Sequence, residues 1–231
     1  SQSTRPRSEA GSERDPHWPA PLQAASIVRQ GEFEKVSHRT QDLPPLSGLR
    51  RIIREFRYHE GSRQVLALVL IAWFAYVSEP IRLTLIMGSP LVLAGNLLRL
   101  YASGFISKNQ QLATNGPYAL MRHPLYSGNI LIILGFCTYS CVPWTLAVAV
   151  FFFWFYYPPA IEYEDRKLQG IFGTHWEQWS AEVPALVPSF AHLGAVATGN
   201  WSLAKSARRN GEPLIVLFII ACFTYVAWQL P

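Results

Sequence analysis

Residues 125–160 read LYSGNILIILGFCTYSCV-P-WTLAVAVFFFWFYYPPA and contain no Asp, Glu, Lys or Arg. Pro143 divides the stretch into two apolar runs, Leu125–Val142 and Trp144–Ala160, which predicts a hairpin of two helices joined by a tight turn. Three more runs lie outside it. Gln64–Ser78 stops at Glu79-Pro80, Leu83–Leu98 stops at Arg99, and Leu214–Leu230 precedes the last residue. Each is slightly shorter than the roughly 20 residues that span about 30 Å of hydrocarbon. Aromatic flanks such as Tyr101, Tyr156, Tyr157 and Trp228 supply interfacial turns. In lipid the backbone must satisfy its own hydrogen bonds, so each run is expected to be helical. The predicted fold class is all-α: a polytopic membrane protein with about five transmembrane helices.

The charges agree with this reading. Half of the 231 residues are apolar and only 15% are charged, against about 25% in ordinary globular proteins. Eight of the fifteen acids and eleven of the twenty bases precede Val65. With the N-terminus on the cytoplasmic side, five crossings put nineteen of the twenty Lys and Arg inside and leave only Arg82 outside, as the positive-inside rule requires. The net charge of +5 is thereby explained by topology. Nucleic acid is not an expected partner, because no basic stripe alternates with stacking aromatics. The lipid bilayer is.

Residues 1–45 are rich in Pro, Ser, Arg and Glu and read as a polar tail. No signal peptide is expected, since residues 1–30 lack an apolar core. From Leu46, apolar residues at helical spacing alternate with Arg50, Arg51, Arg54 and Arg57. That pattern fits a basic amphipathic helix on an anionic membrane surface, or equally a solvated linker helix. The division is a tail with its surface helix over 1–60 and a transmembrane domain over 61–231. Cys137, Cys141 and Cys222 are an odd set without metal spacing and read as small buried apolar residues. His17, His38, His59 and His192 have no partners at ligand spacing, so no metal site is assigned. The basic segment Trp201–Arg209 is expected to rest on lipid headgroups.

Two loops carry unusual residues. In Gln110–Gly128, Asn115-Gly116-Pro117 signals a turn, and Pro124 suits the first position of a helix. Pro124 also pushes His123 out of the helical region, leaving its ring free to face a ligand; the bland alternative is a purely structural junction. Further on, Glu164-Asp165 stands where the fourth apolar run meets water. Leu168, Phe172, His175, Trp179 and Val183 then recur at helical spacing up to Pro184, which predicts an aromatic interfacial helix.

Gly116-Pro-Tyr118, Arg122-His-Pro-x-Tyr126-x-Gly128, and the later string Glu164-Asp165, Leu168, Phe172-Gly173, Trp176, Trp179, Val183-Pro184 together resemble the isoprenylcysteine carboxyl methyltransferase family. That family belongs to a clan with the membrane phospholipid methyltransferases. The resemblance covers roughly residues 64–190. It implies a cytoplasmic S-adenosylmethionine site beneath a lipid-accessible tunnel for the methyl acceptor. By matching position, Gln110, Gln111, Leu112, Ala113 and Tyr118 would line the cofactor. His123, Pro124, Leu125 and Tyr126 would form its main cradle, and Glu164 would be the acidic residue. Aromatic faces favour a sulfonium, and a carboxylate accepts hydrogen bonds from an ammonium or ribose.

Three departures stand out: Asp165 replaces a Glu, Trp176 and Trp179 replace tyrosines, and Ala160 stands where the prenylcysteine enzymes carry an Arg facing the substrate carboxylate. The expected activity is methyl transfer to a lipophilic acceptor, whether a prenylcysteine-like carboxylate, a phospholipid amine or a small thiol. The alternative is a catalytically silent structural or assembly subunit of the same fold, joined to a membrane complex through the tail. A channel is disfavoured, because Glu79, Arg82 and Arg99 lie near the ends of apolar runs, where snorkelling accounts for them.

Overall fold

A computed structural model describes residues 39–40, 43–44, 47–106, 110–209 and 211–231. The tail assigned to residues 1–45 therefore lies almost entirely outside the described residues. Among those described the fold is helical throughout, with no strand. The helices are α1 (Gly48–Tyr58), α2 (Glu60–Tyr76), α3 (Arg82–Ser103), α4 (Pro124–Ser140), α5 (Pro143–Phe172), α6 (Thr174–Glu182) and α7 (Glu212–Trp228).

All five apolar runs are helices. Two of them, α3 with 22 residues and α5 with 30, are long and apolar enough to cross a membrane, and α7 is a shorter apolar helix. Contacts at the helix ends fix an alternating up-and-down order. At one end, the Ser78 hydroxyl donates to Gln229 Oε1 (2.6 Å), and the Glu79 amide donates to the Ser140 carbonyl (3.0 Å). At the other end, Arg99 of α3 reaches Glu212 of α7, and Tyr126 of α4 reaches Glu164 of α5.

The core is aromatic and aliphatic, built on Phe74, Ile133, Phe136, Tyr139, Ala149 and Val226, all inaccessible. Leu83, Ile86, Leu93, Phe151, Trp154, Leu217 and Ile220 point outward and are exposed. An apolar rind of this kind is an aggregation liability in water and suits lipid. In lipid there is little water to exclude, and close packing and polar contacts are what carry helix association there. The pair α3–α4 does this with glycines. A Cβ on Gly95 would fall 2.5 Å from the Gly128 carbonyl, and one on Gly88 would fall 2.8 Å from the Gly135 carbonyl.

Several expectations are corrected. The fourth run does not end at Ala160, because α5 continues through Pro158-Pro159 to Phe172. Pro159 has no N–H for the Phe155 carbonyl, and Arg57 Nε of α1 donates to that carbonyl instead (2.9 Å). Tyr58 adds a hydrogen bond to Glu162 (3.0 Å), so the end of α1 is docked on α5. The helix expected from Leu168 to Val183 is broken at Gly173 (φ +53°), where α6 starts in a new direction. Cys141 is not buried. It ends α4 in a left-handed conformation (φ 55°) and is exposed, and all three cysteines are free. Apart from these corrections, the segment beginning at Trp201 packs on the end of α3: the indole lies where a Cβ on Gly104 would sit, and Ser206 bonds Ser103 (2.6 Å).

Candidate active site

The charged end of the bundle contains a cavity of about 820 Å³, within the ~300–1,000 Å³ typical of small-molecule sites. Its polar wall includes His123, Tyr126 and Glu164, and its apolar wall includes Ile71, Ile133, Phe152 and Ile219.

The first motif is shaped by two residues. Gly116 has φ +64°, and a Cβ there would lie 2.4 Å from the Phe105 ring, so the turn excludes other residues on both counts. It is followed by a 3-10 turn, Gly116–Ala119, that buries Tyr118 beside Trp179 and Val183. His123 then adopts φ −123° and ψ 60° and Pro124 opens α4, as the His-Pro pair predicts.

The two motifs are joined by backbone and side chain together. The amides of Arg122 and His123 donate to the carbonyls of Pro184 (2.8 Å) and Ala185 (2.9 Å), and that of Ser189 donates to Leu120 (2.9 Å). Arg122 Nη1 donates to the carbonyls of Ser180 and Val183 at the end of α6 (2.9 Å each). This caps carbonyls that a helix leaves without partners. Its Nη2 reaches Asp165 Oδ2 (3.0 Å).

Both ring nitrogens of His123 are engaged. Nε2 lies 3.0 Å from Asp165 Oδ1 and Nδ1 lies 3.5 Å from Glu164 Oε2, while the Tyr126 hydroxyl donates to Glu164 Oε1 (2.5 Å). The ring is thus not free to face a ligand; it braces the two carboxylates. Successive helical residues differ by about 100°, so Glu164 is turned to the cavity while Asp165 is turned to the first motif. Both stand beyond the apolar part of α5. Burial alone would lower the pKa of His123, but its hydrogen bonds to Asp165 and Glu164 outweigh that and raise it. Burial opposes ionisation of Glu164 and Asp165, yet His123, with Tyr126 for the first and Arg122 for the second, holds both below their ordinary values.

Nine of the ten sequence-assigned residues line the cavity: Gln111, Leu112, Ala113, Tyr118, His123, Pro124, Leu125, Tyr126 and Glu164. Gln110 does not, because it sits in an exposed turn just before the chain enters the wall. The sequence reading missed a buried pair. Arg99 Nη2 reaches Glu212 Oε1 (2.8 Å) and Oε2 (3.0 Å), and Nη1 reaches Asn129 (2.5 Å). Arg99 does not snorkel; it is bound in the cavity wall. Its signal was present in the sequence as opposite charges at the same end of two apolar runs. Arg63, also in the wall, was missed as well.

The cavity fits the cofactor that the resemblance implies. Glu164 retains lone pairs for an ammonium or a ribose hydroxyl. Trp179, in the lining, has a buried indole N–H without a partner, and aromatic rings stand beside the carboxylate. Among the described residues no group of three or more His, Cys, Asp or Glu is arranged to hold a metal ion.

A family model for phospholipid methyltransferases matches residues 83–175. The cobalt-zinc-cadmium resistance protein CzcN of Cupriavidus metallidurans is 34% identical over 177 residues, covering 71% of this chain and 80% of that protein. The nickel-cobalt-cadmium resistance protein NccN of Alcaligenes xylosoxydans is 30% identical, covering 59% and 67%. Protein-S-isoprenylcysteine O-methyltransferase B of Arabidopsis thaliana is 31% identical over 81 residues, covering 35% of this chain and 41% of that enzyme. No solved structure matches the chain.

Proposed function

The chain belongs to the family of membrane phospholipid and isoprenylcysteine carboxyl methyltransferases, and from that premise we propose that it is a membrane-embedded, S-adenosylmethionine-dependent methyltransferase acting on a lipophilic acceptor. One observation carries the reading: the His-Pro motif and the acidic pair, some forty residues apart, meet on one cavity that is polar on one wall and apolar on the other. In this proposal α2, α3, α4, α5 and α7 cross the bilayer. The N-terminus and the cavity are cytoplasmic, and the apolar wall receives the acceptor from the lipid.

When bound, S-adenosylmethionine supplies a methyl group on a sulfonium, already activated for in-line displacement. The protein's task is then to bind, align and exclude water. Glu164, held ionised by His123 and Tyr126, binds the polar groups of the cofactor. Tyr118 offers a ring face to the cation, and Asp165 with Arg122 keeps His123 in place. The acceptor is a prenylcysteine-like carboxylate, a phospholipid amine or a small thiol. Ala160 removes the cation that prenylcysteine enzymes place one turn before the acidic pair.

Calorimetric titration of S-adenosylhomocysteine into the purified chain tests the reading. Binding is expected, with a loss of roughly tenfold or more in His123→Ala and Glu164→Ala, as for a charged hydrogen bond removed. Wild-type binding no tighter than that of the variants would leave the silent-subunit reading. CzcN and NccN, whose names speak of metal resistance and not of methyl transfer, keep that second reading in view.

A further inference from the structure

Two arginines in the cavity wall are more than nine-tenths buried, Arg63 at 7% and Arg99 at 8% exposure. Their circumstances are opposite. Arg99 is gripped by both oxygens of Glu212 and by Asn129. The guanidinium of Arg63 makes no ion pair or hydrogen bond among the described residues, and its Nη1 is buried without a partner. It lies 4.9 Å from the centre of the Tyr126 ring, and its charge favours the ionised form of Glu164 without contact. A ring face compensates a cation far less than a carboxylate does. Burying a cation without a paired anion is costly, and a bound anion would remove that cost.

We propose that Arg63 is the anion-binding residue of this cavity and takes a carboxylate presented by a bound molecule. The inference rests on the methyltransferase reading and adds to it the cation that Ala160 lacks. The Ala160 side chain is 1% exposed and sits in the apolar core, so the charge comes from α2 instead. Arg63, Ala67 and Ile71 follow one another at four-residue spacing on the same face of α2, and all three line the cavity. That face leads from a cation to hydrocarbon, which matches an amphiphile with a carboxylate head. A carboxylate also ends the methionyl part of the cofactor, so the chemistry has two sources that experiment separates.

Two probe pairs, each differing in the carboxylate-bearing part, are titrated into the full chain. S-adenosylhomocysteine is compared with its carboxamide, which keeps the amine and lacks only the carboxylate charge. With S-adenosylhomocysteine bound, N-acetyl-S-farnesylcysteine is compared with its carboxamide. In Arg63→Gln the acid of one pair is expected to lose roughly tenfold in affinity, while its neutral counterpart is unchanged. Arg63→Lys keeps the charge and recovers part of the loss. Loss confined to the first pair assigns the carboxylate to the cofactor, and loss confined to the second assigns it to the acceptor. A merely structural role would weaken acid and neutral probe alike. That outcome, or unchanged ratios in both pairs, overturns the proposal. Failure of wild type to bind S-adenosylhomocysteine at all is a separate result, which sinks the methyltransferase reading itself.

Discussion

An imidazole held between two carboxylates gives the site a pH dependence whose direction follows from its neighbours. His123 has a raised pKa, so its contribution to stability is complete below its ordinary value, near 6.5, and is lost as pH rises through the higher folded value. Glu164 and Asp165 have lowered pKa values, so theirs is present above the ordinary carboxylate range and is lost as pH falls through the lowered values. The cluster is therefore strongest in mildly acidic solution. The melting midpoint of the detergent-solubilised protein should peak there and decline on the alkaline side. His123→Ala should remove the alkaline decline and cost about 1–3 kcal/mol, discounted because Glu164 borders the cavity. An unchanged alkaline limb in that variant would mean that another group titrates. The ring's engagement was not legible in the sequence. A histidine before a proline shows its backbone constraint, but only the later carboxylates, brought over by α5, decide what its nitrogens meet.

Helices that pack through glycine tolerate no growth at the contact. Gly95 and Gly128 face each other across α3 and α4, and a Cβ on Gly128 would lie 2.6 Å from the Arg99 side chain as well as 2.9 Å from the Gly95 carbonyl. Gly95→Val must therefore push the two helices apart, and with them Arg99 from Asn129 and His123 from its partners. Overpacking of this kind costs about 1–3 kcal/mol. A lowered melting midpoint in detergent, together with weakened S-adenosylhomocysteine binding, is the expected result. Val at 95 with a wild-type midpoint would show that α3 and α4 are not pressed together there. The glycines were present in the apolar runs, yet nothing in one dimension says which faces oppose. The same holds for α5, whose Pro158-Pro159 reads as a helix end until Arg57 is found serving the carbonyl that Pro159 leaves free.

Over the whole molecule, legibility divides along the solvent. Lipid demands helical, apolar runs bounded by charge, so the five runs and the shared end of the charged motifs could be read from one chain. What lies inside the charged end could not, because Arg63, Arg99 and Glu212 near the termini of apolar runs look like ordinary interfacial charges until three helices close around them. The orientation is itself open to test. The contacts put Cys141 and Gln110 at opposite ends of the bundle, both exposed, while Cys137 and Cys222 are partly buried. Five crossings with an inner N-terminus place Cys141 outside and Gln110 inside. A charged, membrane-impermeant maleimide added to intact cells should then label the wild-type chain at Cys141, and Cys141→Ala should abolish the signal. In the Cys141→Ala background, Gln110→Cys should react only after the membrane is opened. The reverse pattern would invert the molecule and place its charged cavity outside. Equal labelling of both positions in intact cells would mean that the helices between them do not separate two compartments, and the crossing scheme would fall with it.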